Sequence, residues 1–193
     1  SVAGYAAMVA VNLIGLRETG LTLSSEAVEH VMKAFARIFD SSDRWSNYPV
    51  VRVLGKVIAV ANMSVADANK PYILSYKGVF DLLILALLLD PANPRREQKG
   101  ASELQMASAN TLQNLALSPV GARPMRAHAG VIDALRQLAE SGMSDEAKQC
   151  ALGALFELDE NSRADMMHAR AQTLEHIMLS YNWDHQATIK RIN

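Results

Sequence analysis

The chain repeats part of its own sequence at a constant offset, and this repetition limits the folds that it can adopt. Five identities are separated by 52 residues, as the differences 114 − 62 and 130 − 78 both show. They pair Asn62 with Asn114, Gly78 with Gly130, Val79 with Val131, Asp81 with Asp133 and Leu83 with Leu135. Such a period indicates a supersecondary unit that buries its apolar face by stacking on copies of itself.

Residues 104–158 show which elements the unit contains. Leu112 and Leu115 belong to an apolar set that recurs at the spacing of one helix face. Pro119 interrupts this helix, because proline lacks the amide hydrogen and clashes with the preceding turn. After the proline, a short helix is predicted to reach Gly130, a second helix to span residues 131–139, and a third to span residues 146–158 with Asp145 as its cap. The unit is therefore a long, a short and a medium helix, followed by the next long one.

The N-terminal half of the chain follows the same pattern. Its predicted helices span residues 5–16, 27–39, 50–63 and 79–89. Valine and isoleucine favour strands, but the apolar side chains of residues 50–63 recur at helical spacing. Residues 79–89 form too short an apolar run to cross a bilayer, which needs about 20 residues. They are predicted to form the buried helix of a central unit, and no membrane partner is expected.

A polar loop at residues 90–100 precedes the next long helix and accounts for the long period. It contains a small basic group, Arg95, Arg96 and Lys99. Three charges are few for phosphate binding, so we expect a solvated insertion with no ligand of its own.

The segments ANMSVADANKPYILSYKGVFDLLILALL and QNLALSPVGARPMRAHAGVIDALRQL resemble the armadillo repeat. That family has an asparagine late in its long helix, then a short helix, a glycine and a helix with an apolar residue three positions before a leucine. The resemblance covers residues 2–159 as three or four units. It implies an all-α, right-handed armadillo- or HEAT-like solenoid, to which we assign residues 1–172.

The armadillo resemblance also implies candidate binding residues. The long helices of such arrays line a concave groove, and Asn62 and Asn114, with Asn12 at an equivalent place, match the asparagine that faces it. A side-chain amide can donate to and accept from the main chain of an extended peptide. The alternative is that these amides hold neighbouring helix ends or loops. Peptide-binding importins carry a tryptophan one turn earlier, where this chain has Ile58 and Asn110, so binding of nuclear signals is not expected.

The C-terminal stretch changes character. Residues 174–181 can form an amphipathic helix, or residues 177–181 a short strand followed by a turn at Trp183. The segment HIMLSYNWDHQATIKRIN resembles the opening of a TIR domain. We therefore assign residues 173–193 to a truncated TIR-like start, with a final packing helix as the alternative.

An armadillo array that leads into a TIR domain resembles SARM-like proteins, in which the array restrains a TIR domain that cleaves NAD. The catalytic glutamate of that family lies well downstream of its first strand, so no catalysis is expected from residues 1–193. We predict a non-catalytic scaffold that binds a protein or an extended peptide through its groove. The alternatives are an autoinhibitory half of a TIR-type NAD hydrolase that senses an NAD-related metabolite, and a plain HEAT-like scaffold.

Composition excludes some partners and cofactors. The formal net charge of −1 argues against nucleic acid as a partner. The histidines lack the paired spacing of a metal site, so neither metal nor cofactor is expected. Cys150 is the single cysteine, which favours a reducing, cytoplasmic compartment. The chain begins at Ser1 in the middle of a helical pattern and is expected to be a fragment. Its oligomeric state stays open.

Overall fold

The computed structural model describes residues 2–14, 21–159 and 167, and within them every regular element is helical. These ranges contain nine α-helices, which are α1 (Val2–Ile14), α2 (Ser25–Ala36), α3 (Val50–Met63), α4 (Lys70–Leu74), α5 (Val79–Ala86), α6 (Ala101–Ala116), α7 (Pro119–Ala127), α8 (Val131–Ser141) and α9 (Asp145–Leu158). Two 3₁₀ turns, Arg44–Asn47 and Asp67–Asn69, precede α3 and α4. The predicted all-α class is confirmed for this part of the chain.

The chain divides into two compact units, Ser1–Leu158 and Asp159–Asn193, and the nine helices of the described ranges lie in the first. The predicted boundary between residues 172 and 173 lies outside the described residues. None of the described helices is both long enough and apolar enough to span a membrane.

The 52-residue repetition is visible in the backbone at two glycines. Gly78 directly precedes α5 with φ of 74°, and Gly130 directly precedes α8 with φ of 98°. Both values lie in the left-handed region, which glycine adopts without a Cβ clash. The repeated glycine is therefore the residue that lets the chain turn from a short helix into a medium one.

The long helices pack on one another in chain order. Helix α1 contacts α3, α3 contacts α6, and α6 contacts α9. The medium helices α2, α5 and α8 pack on α3, α6 and α9, and the short helices α4 and α7 contact each other. One apolar cluster runs through these contacts from α1 to α9.

The predicted helix faces are confirmed in α3 and α6. Leu104, Leu112 and Leu115 are fully buried on α6. Val53 and Val57 are fully buried on α3, which is a helix despite its many β-branched residues because its apolar positions follow the helical period. Burial of a repeating face thus outweighs the weak local preference for a strand.

Two predicted helices extend too far at their C-termini. Helix α2 ends at Ala36 rather than at residue 39, and α5 ends at Ala86 rather than at residue 89. Leu88, which belongs to the apolar run but lies after the end of α5, has a φ of 51° and is buried. Leu85 was expected inside the stack but is 48% exposed, because an apolar run on every side of a helix cannot all face a one-sided core.

The expectation of a solvated basic loop at residues 90–100 is wrong for two of its three cations. Arg95 is half-buried, and its guanidinium donates to the carbonyls of Ile38, at 3.1 Å, and Ser46. Arg96 donates to the carbonyl of Leu88. Burial lowers the pKa of Arg95. Charge-assisted hydrogen bonds thus bind the loop to the turn after α2, to the 3₁₀ turn before α3 and to the segment after α5. Lys99 remains exposed.

Gly121 permits the close approach of α7 to the end of α6, and we expect its replacement to be destabilising. A Cβ at Gly121 would lie 2.2 Å from the carbonyl oxygen of Leu115. Gly121→Ala should lower the free energy of unfolding by about 1–3 kcal/mol, as overpacking does elsewhere, measured by urea unfolding. Gly55→Ala is the control, because Gly55 lies inside helix α3 and a Cβ there would be in ordinary contact, 3.6 Å from Asn12 Nδ2. Equal losses in the two variants would contradict the steric explanation.

Candidate functional site

The three predicted asparagines lie on consecutive long helices. Each side-chain amide nitrogen donates a hydrogen bond to a neighbouring long helix or its cap, and that of Asn114 donates a second one within its own helix. Asn12 Nδ2 on α1 lies 2.9 Å from the carbonyl oxygen of Gly55 on α3. Asn62 Nδ2 on α3 lies 3.1 Å from the carbonyl oxygen of Val11 on α1. The structure therefore brings Asn12 and Asn62 to the same seam between two helices.

Asn114 occupies the next seam. Its Nδ2 donates to Ser64 Oγ, at the end of α3, at 3.0 Å, and to Asn110 Oδ1, one turn earlier on α6, at 2.8 Å. The three positions differ in exposure, since Asn12 is exposed, Asn114 half-buried and Asn62 only 5% exposed. These contacts are the kind that the structural alternative requires. The groove-binding role stays a prediction, for which Asn12 and Asn114 are the accessible members.

Two buried amides that sequence reasoning did not single out connect elements far apart in the chain. Asn69 is fully buried; it accepts from the amide of Leu23 at 2.9 Å and donates to the carbonyls of Leu21 and Met63 at 2.8 and 2.9 Å. Gln105 is also fully buried, and it joins the end of α5 to the turn before α9. Nothing in the periodicity marks these residues, because polar residues in short turns and helix interiors are usually exposed.

A cleft of about 580 Å³ opens between α1, α2 and α3. Helix α1 contributes Tyr5 and Asn12, α2 contributes Lys33 and Arg37, and α3 contributes Arg52 and Lys56. Trp45, from the 3₁₀ turn before α3, completes one wall. The volume lies in the range of sites that accept small molecules or short peptide segments, and sequence reasoning did not predict it. The sequence feature that could have indicated this cleft is a pair of cations one helical turn apart, Arg52 and Lys56.

Two of the four cations that line the cleft have carboxylate partners. Lys33 Nζ lies 2.7 Å from Glu29 Oε1, and Arg37 Nε lies 2.5 Å from Asp43 Oδ2. The hydrogen bond from Arg37 lowers the pKa of Asp43. Lys56 Nζ stands 3.7 Å above the ring centroid of Trp45, a cation–π contact. Burial, and then the neighbouring Arg37 charge, lowers the pKa of Lys56.

The histidines and the cysteine were the other candidates for chemistry, and His128 and Cys150 lie in the described part of the chain. His128, expected to be a solvated or capping residue, is half-buried; its Nε2 lies 3.2 Å from Asp81 Oδ1 and its ring packs edge-on against Phe80. Burial raises the pKa of the Cys150 thiol, which disfavours the reactive thiolate. No group of three or more potential metal ligands occurs among residues 2–14, 21–159 and 167. The C-terminal histidines at 168, 176 and 185 lie outside these ranges.

Comparison of the chain with known proteins finds no matching family model, no matching curated protein and no matching solved structure. The resemblances to the armadillo repeat and to the TIR domain therefore remain interpretations of the residues. The TIR-like assignment of residues 173–193 falls outside the described residues. The metabolite-sensing and autoinhibitory alternatives depend on that assignment and stay predictions.

Proposed function

We propose that this chain is an armadillo-like, right-handed helical array that acts as a non-catalytic scaffold for a protein partner. The observation that carries the proposal is the contact of each long helix with the next, α1 with α3, α3 with α6 and α6 with α9. Asn12, Asn62 and Asn114 occur on three of these helices, 50 and 52 residues apart (62 − 12 and 114 − 62). Side-by-side helices that carry one asparagine per unit offer amides to an extended chain at Asn12 and Asn114, on the helices either side of the buried Asn62.

A peptide main chain is the ligand that such a row suits. An asparagine side chain has two donor hydrogens and an acceptor oxygen. Asn12 donates one hydrogen bond and keeps one donor hydrogen and its oxygen for a ligand, whereas Asn114 donates two and keeps its oxygen. Main-chain recognition of this kind gives affinity with little dependence on the peptide's own side chains. Asn12 and Asn114 are the accessible amides, whereas Asn62 holds α3 to α1.

The test is peptide selection with the purified chain from a random displayed library, followed by fluorescence anisotropy of the selected peptides. We expect Asn12→Ala combined with Asn114→Ala to weaken binding by about tenfold or more, since each lost hydrogen bond contributes about 0.5–1.5 kcal/mol. Asn47→Ala, at an exposed position of the 3₁₀ turn, is the control and should bind normally.

Thermal unfolding of the same variants separates binding from stability. The proposal predicts that the double variant loses affinity while it remains folded at the assay temperature. Unchanged affinity in the double variant, or a selection that yields no peptide, would contradict it. A loss of affinity that only follows partial unfolding would favour the structural role of the asparagines.

A further inference from the structure

The cleft between α1, α2 and α3 concentrates positive charge on a chain whose formal net charge is −1. Lys33, Arg37, Arg52 and Lys56 line it, and its lining contains no acidic side chain among the described residues. The cations come from two helices and face one space, so their potentials add across it. An anionic ligand is the complement of such a surface.

Arg52 and Lys56 are the two cleft cations best placed to pair with an anionic ligand. Neither forms an ion pair with a carboxylate in the described part of the chain, whereas Lys33 and Arg37 do. The two residues are one helical turn apart on α3, so their side chains lie on the same face. Lys56 is held against the ring of Trp45, which fixes its ammonium at the cleft wall.

An exposed apolar stripe on α1 adjoins these cations. Tyr5 is 68% exposed, Val9 43% and Leu13 82%. They recur every four residues and therefore share one helix face, and Tyr5 and Val9 also line the cleft. Eight residues of helix correspond to about 12 Å at 1.5 Å per residue, a length that a single small anion does not cover.

We propose that this cleft is the docking site of an acidic peptide segment in which aspartate or glutamate alternates with apolar residues. The proposal rests on the scaffold function proposed above and names the chemistry of its partner. The carboxylates pair with Arg52 and Lys56, and the apolar side chains cover the α1 stripe. A small phosphate compound matches the charge but leaves the stripe exposed, and the ring face of Trp45 beneath Lys56 is already covered.

The experiment uses labelled peptides of about twelve residues that alternate glutamate with leucine, with glutamine–leucine and lysine–leucine peptides as matched controls. Binding is measured by fluorescence anisotropy at about 50 mM and about 300 mM salt. The attraction between exposed charges is largely screened beyond about 10 Å at about 0.1 M ionic strength, and at shorter distances in higher salt. We expect the glutamate peptide to bind at least about tenfold more tightly than either control. Its affinity should fall at the higher salt concentration.

Charge-reversal variants locate the binding. Arg52→Glu combined with Lys56→Glu should lower the affinity for the glutamate peptide by about tenfold or more. Arg123→Glu combined with Lys148→Glu changes the net charge equally on α7 and α9 and should have less than about a twofold effect. In a Trp183→Phe background Trp45 is the only tryptophan, and its emission should change as the peptide binds.

Five results would overturn the proposal. One is equal binding of the glutamine peptide, and another is equal loss in the two charge-reversal variants. A third is a response of Trp45 to NAD, nicotinamide mononucleotide or inorganic phosphate but not to the acidic peptide, which would make the cleft a small-anion site. The fourth is self-association by sedimentation that the Arg52 and Lys56 variant abolishes, which would assign the face to a second copy. If library peptides bind regardless of the Arg52 and Lys56 charges, the scaffold function survives and this inference fails.

Discussion

Replacing Asn69 with alanine is expected to lower the free energy of unfolding by about 3–5 kcal/mol. The fully buried side chain makes three hydrogen bonds to the backbone, to the Leu23 amide and to the carbonyls of Leu21 and Met63. Alanine leaves these polar groups without that partner, and each buried orphan costs about 1–3 kcal/mol. The bonds join the segment before α2 to the end of α3, so their loss loosens two elements at once. Urea unfolding followed by circular dichroism measures the effect.

Two further variants identify the cause. Asn69→Asp keeps the side-chain volume and the acceptor for the Leu23 amide but removes both donated bonds, and should be about as destabilising as alanine. Asn47→Ala, at an exposed asparagine, should change stability by less than about 0.5 kcal/mol. If Asn69→Asp retained full stability, the donated hydrogen bonds would not be the source of the effect.

Leu112→Ala is expected to cost about 2–5 kcal/mol, the range of leucine truncations in a packed core. Leu112 is fully buried on α6, the helix that packs against both α3 and α9. A cavity at this position removes contacts from both neighbours, and the helices on either side can close it only by moving together. Thermal or urea unfolding measures the loss.

Leu117 provides the matched control for Leu112. It follows the last turn of the same helix and is 60% exposed. Leu117→Ala should therefore alter the free energy of unfolding by less than about 0.5 kcal/mol. Equal effects of the two truncations would show that the helix phase assigned to α6 is incorrect.

The elements of this fold could largely be predicted because each depends on local pattern. The helical period identified the buried faces of α3 and α6, including Val57 and Leu112. The repeated glycines, Gly78 and Gly130, marked the turns before α5 and α8 because their left-handed backbone excludes most other residues. Helix ends were predicted less well, since Leu88 turns the chain after α5 without a glycine or proline to signal it.

The candidate sites depended on contacts between residues far apart in the chain. Asn62 was found from the repetition, but its hydrogen bond to Val11, 51 positions away, shows that it also joins two helices. Arg95 was predicted to be a solvated surface residue, but its guanidinium donates to the carbonyls of Ile38 and Ser46. Hydrogen-bond partners across such separations leave no local signature.

By itself, then, the sequence determined the helical class, the repeating unit and the apolar faces, because period and turn chemistry act within a few neighbouring residues. Only the tertiary structure decided which polar side chains became buried links, as Asn69 and Gln105 did. It also decided that Arg52 and Lys56 of α3 would line the same cleft as Tyr5 of α1. Packing brings these groups together, and the free energy of packing depends on the whole set of helices rather than on any one of them.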